Sequence, residues 1–134
     1  MTQLFVAMMG TSFEGEDTTT LLRMVDASLD SNFTVTVWTC GGATLLTARQ
    51  LGLTRPRNLL ELGTSRTDHE YPTTAALIHS LIQKSDRRLR WLVCRHCMQE
   101  RGALDHIEGV IVTSPLRYLQ TMQAADVSLV MGRK

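Results

Sequence analysis

Two cysteines separated by two residues, Cys94 and Cys97, are the side chains of this sequence best suited to chemistry. A thiolate is a nucleophile, and both a helix N-terminus and nearby cations lower the pKa of a cysteine. Cys94 ends an apolar run and precedes a short helical pattern, so we expect it where a strand becomes a helix. We therefore predict that Cys94 is an accessible, reactive thiol whose pKa lies below the usual ~8.5 of a free cysteine.

The charge around this pair is locally positive. From Lys84 to Arg101 there are six basic and two acidic residues, an excess of four, whereas the whole chain has 14 basic and 13 acidic residues, an excess of one. Arg95 and Arg101 are candidates for stabilising an anionic sulfur, although either can also be a solvated helix charge. His96, between the two cysteines, is a candidate for tuning the thiolate.

A C-x-x-C pair has other interpretations. In thioredoxin-type proteins the pair also begins a helix, but early in the chain, whereas here it comes late. Zinc needs about four ligands, and without a second C-x-x-C the shell would be completed by Cys40, His96 or His106. Either cysteine can also be a small buried hydrophobe. We rank disulfide chemistry second and predict no metal and no cofactor.

The composition is that of one globular domain. The chain has 134 residues, of which 43% are hydrophobic and 20% charged, so it can bury a core without disulfides. A net charge of +1 does not indicate general binding to nucleic acid or to a membrane surface. The loop 10–17 lacks the lysine of a phosphate-binding loop and carries acids, which argues against nucleotide hydrolysis. An odd set of three cysteines without an export signal predicts a cytoplasmic protein.

Strand patterns alternate with helix patterns along the chain. The strands are predicted at residues 3–9, 33–39, 89–94, 109–113 and 127–131. The helices are predicted at residues 17–30, 43–50, 72–86, 95–101 and 114–125. Asp17 is predicted to cap the first helix and Pro72 to begin the third, and residues 53–71 are predicted to form a long loop.

This alternation predicts a three-layer α/β/α fold with a mainly parallel sheet of about five strands. Chemistry in such sheets gathers where strands end and helices begin. Cys40 and Cys94 both fall at such ends. The sequence leaves the strand order open, and with it the question of whether these two ends are neighbours.

Around Cys94 the sequence resembles the DsrE/DsrF-like family of small sulfur-relay proteins, which includes YchN-like and TusD-like members. The resemblance covers nearly the whole chain, and its most specific part is Cys94 followed eight residues later by the glycine of Arg101-Gly102. The loop 10–17, the glycine pair Gly41-Gly42 and the late strand 109–113 support it.

The resemblance implies that Cys94 carries sulfur as a persulfide, and that Cys97 matches an extra cysteine found in only some members. It also implies homo- or hetero-oligomers, commonly trimers and hexamers, with the cysteine near a subunit boundary. We therefore expect a sulfur-relay protein with sulfur donor and acceptor proteins as partners. Two alternatives stay open: a thiol-disulfide oxidoreductase using Cys94 and Cys97, and a non-catalytic oligomeric interaction module.

Overall fold

The structure is a computed structural model that describes residues 1–10, 16–49 and 72–132. The strands of these residues are β1 (Gln3–Met9), β2 (Thr34–Thr39), β3 (Leu89–Cys94), β4 (Val110–Thr113) and β5 (Val127–Gly132). The α-helices are α1 (Asp17–Asp30), α2 (Thr74–Lys84), α3 (Arg95–Glu100) and α4 (Tyr118–Gln123). Two 3₁₀ helices, Gly41–Thr47 and Pro115–Arg117, complete the elements. The predicted loop 53–71 and most of the loop 10–17 lie outside the described residues.

The strands form one parallel sheet in the order β4-β3-β2-β1-β5. β1 lies near the centre, and its residues 4–8 are all buried because the sheet is covered on both faces. The parallel five-stranded sheet predicted from the sequence is confirmed. β2 and β3 are neighbours, which settles the open question: the ends that carry Cys40 and Cys94 are adjacent.

One face of the sheet holds the larger part of the core. α1 packs there through four buried residues at helical spacing, Leu21, Leu22, Val25 and Leu29. α2, α3 and the first 3₁₀ helix also contribute buried side chains to this cluster, which includes the fully buried Trp91 of β3. This face therefore supplies most of the apolar burial that stabilises the described residues.

The opposite face has a smaller core. Phe5, Trp38 and Leu92 are buried there, and the ring of Tyr118 covers them from α4. Its centroid lies 5.7 Å from that of Phe5 and 5.3 Å from the indole of Trp38, both in edge-to-face geometry. The fold is thus a three-layer α/β/α arrangement, as predicted, with one thin layer.

The structure corrects several predicted boundaries. α1 begins at Asp17 itself, so this residue lies in the first turn and is not the capping residue. α2 begins at Thr74, two residues after Pro72, because the hydroxyl of Thr73 accepts a hydrogen bond from the Ala76 amide and caps the helix. The helix predicted at 43–50 is instead the 3₁₀ helix that starts at Gly41. Among the described residues, none of the helices is long and apolar enough to cross a membrane.

Candidate three-cysteine site

Three cysteines meet at the carboxyl ends of β2 and β3. Cys94 is the last residue of β3 and the N-cap of α3, Cys97 lies in the first turn of α3, and Cys40 directly follows β2. The three Sγ atoms all lie within 4.8 Å of one another. All three thiols are free. The pairing of β2 with β3 thus builds a cluster from cysteines that are 54 residues apart in the chain, Cys40 and Cys94.

Hydrogen bonds fix the two strand ends that hold the cluster. The hydroxyl of Thr39 donates to the Leu92 carbonyl (2.9 Å), which joins the end of β2 to β3. The Cys40 amide donates to the Met8 carbonyl (3.0 Å), which joins it to the end of β1. The thiols are therefore presented by the rigid sheet.

Gly41 lets the chain turn directly after Cys40. Its φ is +60°, a conformation that side chains other than glycine rarely adopt. A Cβ at this position would lie 3.1 Å from the amide nitrogen of Gly10, so the loops that follow β1 and β2 approach each other closely. The glycine after Cys40 thus allows a close approach to Gly10, the residue that directly follows β1.

Trp38 holds the Cys40 thiol. Its indole Nε1 donates a hydrogen bond to Cys40 Sγ over 2.9 Å, and the ring itself is fully buried. This contact was not among those expected from the sequence. The spacing contained a signal for it, because residues two apart in a strand point to the same face of the sheet.

Burial dominates the acidity of Cys40. It raises the pKa of the Cys40 thiol to about 12, although the hydrogen bond from Trp38 acts in the opposite direction. The charges of Cys94 and Cys97, when present, raise the pKa further. Cys40 is therefore a neutral thiol at physiological pH.

The predicted low pKa of Cys94 is wrong. Burial raises the pKa of this thiol above its ordinary value, and the hydrogen bond from the Cys97 amide lowers it by less. The side chain is also only 1% exposed, where the sequence predicted an accessible one. Cys97, by contrast, is partly exposed. A reagent entering from solvent therefore meets Cys97 or Cys40 before Cys94.

The two arginines expected near Cys94, Arg95 and Arg101, lie in different parts of the structure. Arg101 lies beside the cluster: its Nη1 donates to the Cys97 carbonyl (3.2 Å) and to the Glu100 carboxylate (3.3 Å). Its Nη2 lies 3.8 Å from the position of a Cβ on Gly41. Arg95 instead lines a cavity between the sheet and α4. Of the two arginines proposed from the sequence, only Arg101 is thus placed next to the loop that follows Cys40.

The structure separates the two histidines that were considered with the cysteines. His96 is exposed on α3. His106 uses both ring nitrogens, since Nε2 donates to the Ala103 carbonyl (2.6 Å) and Nδ1 bonds the Thr47 hydroxyl (2.8 Å). His106 therefore has no free nitrogen for a metal ion.

Three chemistries are open to three adjacent thiols. A thiolate can accept a sulfur atom and hold it as a persulfide, two thiols can form a disulfide, and three thiolates can bind a soft metal ion. Zinc would need a fourth ligand beyond Cys40, Cys94 and Cys97, and His106 cannot provide one.

Comparison with known proteins supports the fold of this chain and does not identify the chemistry of the cysteine cluster. The crystal structure of the YchN protein from E. coli superposes with a TM-score of 0.71, covering 98% of this chain and 100% of that chain, at 16% sequence identity. No protein-family model matches the sequence, and no curated protein matches it. The likeness to YchN shows a shared fold, so the DsrE/YchN-like resemblance stated from the sequence is confirmed at the level of the fold.

Proposed function

We propose that this protein is a sulfur carrier that holds sulfane sulfur as a persulfide on Cys94 and passes it to a partner protein. The observation that carries the proposal is the cluster of three Sγ atoms within 4.8 Å of one another at the carboxyl edge of the sheet. The YchN-like fold and the position of Cys94 between β3 and α3 support it.

Loading is a simple exchange of one sulfur atom. The Cys94 thiol gives up its proton as its sulfur attacks the outer sulfur of a donor persulfide, the sulfur–sulfur bond of the donor breaks, and the donor takes the proton and leaves as a thiol. The number of sulfur–sulfur bonds is unchanged, so no oxidant or reductant is consumed. The Cys97 amide, which already bonds the Cys94 sulfur, stabilises the negative charge.

The burial of Cys94 suits storage of the sulfur. A persulfide places its reactive outer atom about 2 Å beyond Sγ, since that is the length of a sulfur–sulfur bond. The outer atom therefore lies farther from the backbone than the Sγ atom of a residue that is itself only 1% exposed. Arg101, at the Gly41 loop, is the candidate cation for this outer sulfur, and a partner protein can take the sulfur without reaching the thiol itself.

Intact-protein mass spectrometry after incubation with a persulfide donor tests this proposal. We expect one added sulfur, about 32 Da, on the wild-type protein and on Cys97→Ala. Cys94→Ser should acquire none while remaining folded, because the hydroxyl has nearly the same size but forms no thiolate at neutral pH. Loading of Cys94→Ser would contradict the proposal, and complete loss in Cys97→Ala would assign the acceptor role to Cys97.

A thiol-disulfide oxidoreductase is the second candidate, and the short distance between Cys94 and Cys97 favours it. In this case Cys94 attacks a substrate disulfide, one half of the substrate leaves as a thiol, and Cys97 then displaces the other half as a thiol to form the disulfide with Cys94. Intact mass after incubation with a small disulfide separates the two functions, because disulfide formation removes about 2 Da. A protein whose mass stays unchanged would be the interaction module.

The partners belong to the proposal as well. We expect a homo-oligomer, a trimer or a hexamer, in a cytoplasmic, reducing compartment where the three thiols stay free. Large apolar side chains exposed on the 3₁₀ helix before α4 and on the edge strand β5 support self-association: Leu116 is 92% exposed and Val130 is 62% exposed. Light scattering that gives a 15.0 kDa particle over a wide concentration range would contradict it.

A further inference from the structure

Two adjacent cavities lie on the α4 side of the sheet, away from the larger core. Each has a volume of about 420 Å³, within the range of small-molecule sites. The first lies at the start of β1 and β2, and the second runs along β3 and β4. They share three lining residues, Arg90, Arg117 and Thr121, so one arginine pair borders both spaces.

The lining of these cavities is strongly positive. Five arginines contribute to it, and none of the residues that line either cavity is acidic. The arginines are Arg87, Arg88, Arg90, Arg95 and Arg117. They come from the start of β3, the start of α3 and the segment before α4, so the fold gathers positive charge that the net charge of +1 does not reveal.

Within the described part of the chain, only Arg88 among these arginines bonds to other residues through its guanidinium. The guanidinium of Arg88 donates to the carbonyls of Leu29, Phe33 and Ser85, so it ties β3 to the elements around it. Arg90 and Arg117 form no side-chain hydrogen bond or ion pair with the described residues. Lys84, the last residue of α2, differs from these arginines because it forms ion pairs with Asp26 and Asp30.

Grouped guanidinium ions without a counterion repel one another, and an oxyanion relieves this repulsion while accepting their paired N–H donors. We infer that the two cavities form a binding site for a small phosphate-bearing molecule, with Arg90 and Arg117 as its principal ligands. Arg95 would bind the same anion from the far end of β3. Ser114 adds a donor, because its oxygen accepts from the Leu116 amide and its own O–H remains available.

The cavity shape favours a small ligand over a nucleic acid. A nucleic-acid surface presents its cations along an open face that follows several phosphates. Here the shared arginines border two half-open pockets of about 420 Å³ each, a volume that fits one or two phosphate groups and the body of a small molecule but not a run of nucleotides.

Titration calorimetry with pyrophosphate, at constant ionic strength set by sodium chloride, tests this inference. We expect saturable binding by the wild-type protein. Arg90→Gln and Arg117→Gln should each weaken it about tenfold or more, because each removes a charged bidentate donor. Arg23→Gln is the matched control: it also removes one exposed positive charge, but from α1 on the other side of the sheet, and should leave the affinity unchanged.

Three results would overturn the inference. The first is the lack of saturable binding up to about 10 mM pyrophosphate. The second is an equal loss of affinity in Arg23→Gln, which would indicate a diffuse charge effect and not a site. The third is an affinity for single-stranded RNA oligonucleotides that rises with their length, which would assign the arginines to a nucleic-acid backbone. Thermal unfolding of each variant verifies that it is folded.

Discussion

Replacing each of the two tryptophans by phenylalanine isolates the hydrogen bond between Trp38 and Cys40. Both rings are fully buried, and they lie on neighbouring strands but on opposite faces of the sheet. Trp38 donates its N–H to the Cys40 sulfur. The N–H of Trp91 is buried and has no hydrogen-bond partner among the described residues. The two substitutions therefore remove the same volume and differ in the polar group they remove.

The expected changes in the free energy of unfolding follow from this difference in polar groups. Trp38→Phe loses a hydrogen bond worth about 1 kcal/mol, while Trp91→Phe removes an unsatisfied buried donor that costs about 1–3 kcal/mol. The cavity costs are similar and cancel to first order. Trp38→Phe should thus destabilise the protein by about 2–4 kcal/mol more than Trp91→Phe.

Urea unfolding of both variants measures the free energies, and thermal unfolding should separate the two midpoints by at least about 5 °C. A second measurement connects the result to the site. Because the indole N–H favours the charged form of the Cys40 sulfur, Trp38→Phe should slow alkylation of Cys40 at a fixed alkaline pH, and Trp91→Phe should not. If Trp91→Phe proves as destabilising as Trp38→Phe, the assignment of the hydrogen bond as a stabilising contact is refuted.

Two further predictions concern Cys40 and the glycines near it. Because the pKa of Cys40 rises from 9.0 to about 12 on folding, the neutral thiol is favoured by the folded state, and stability should fall between these pH values. Urea unfolding should show a smaller fall in Cys40→Ala, and an identical pH profile would contradict the raised pKa. Gly102→Ala, at φ +67° with open space around it, should cost about 1–2 kcal/mol from backbone strain alone. Gly41→Ala should cost more, because its Cβ would also press on the Gly10 backbone, and equal unfolding free energies would contradict that contact.

The secondary structure was predictable because its patterns are local. β1 and β3 have the predicted limits, since each is a mostly apolar segment bounded by a glycine or by a change of pattern. The 3₁₀ helix after Cys40 was mistaken for a later α-helix because its start depends on the positive φ of Gly41 and on the contact with Gly10. That contact is between two residues that are distant in the sequence, so a short stretch of sequence does not reveal it.

The acidity of Cys94 was mispredicted for a related reason. A count of charges along the chain treats Arg88 and Arg90 as neighbours of Cys94. β3 is extended, however, so Arg88 lies about 20 Å from Cys94 along the strand, at a rise of about 3.3 Å per residue. The strand also buries the cysteine, and desolvation then outweighs the amide at the start of α3. A count of charges along the sequence therefore overestimated the positive charge near Cys94. The burial of Cys94 could not be predicted from its position at the end of a strand.

The two layers that cover the sheet differ in thickness, so local opening of the thin layer and unfolding of the whole chain are separate processes. α4 has six residues and packs mainly through the ring of Tyr118, whereas the opposite layer is held by a continuous cluster that includes all of the buried residues of α1 except Thr18. A helix with so few contacts can detach and return while the rest of the sheet remains intact. Each detachment uncovers Trp38, and with it the donor that holds Cys40. The frequency with which solvent reaches the hydrogen bond between Trp38 and Cys40 is then set by a local fluctuation on one side of the sheet, and not by the free energy that keeps the whole chain folded.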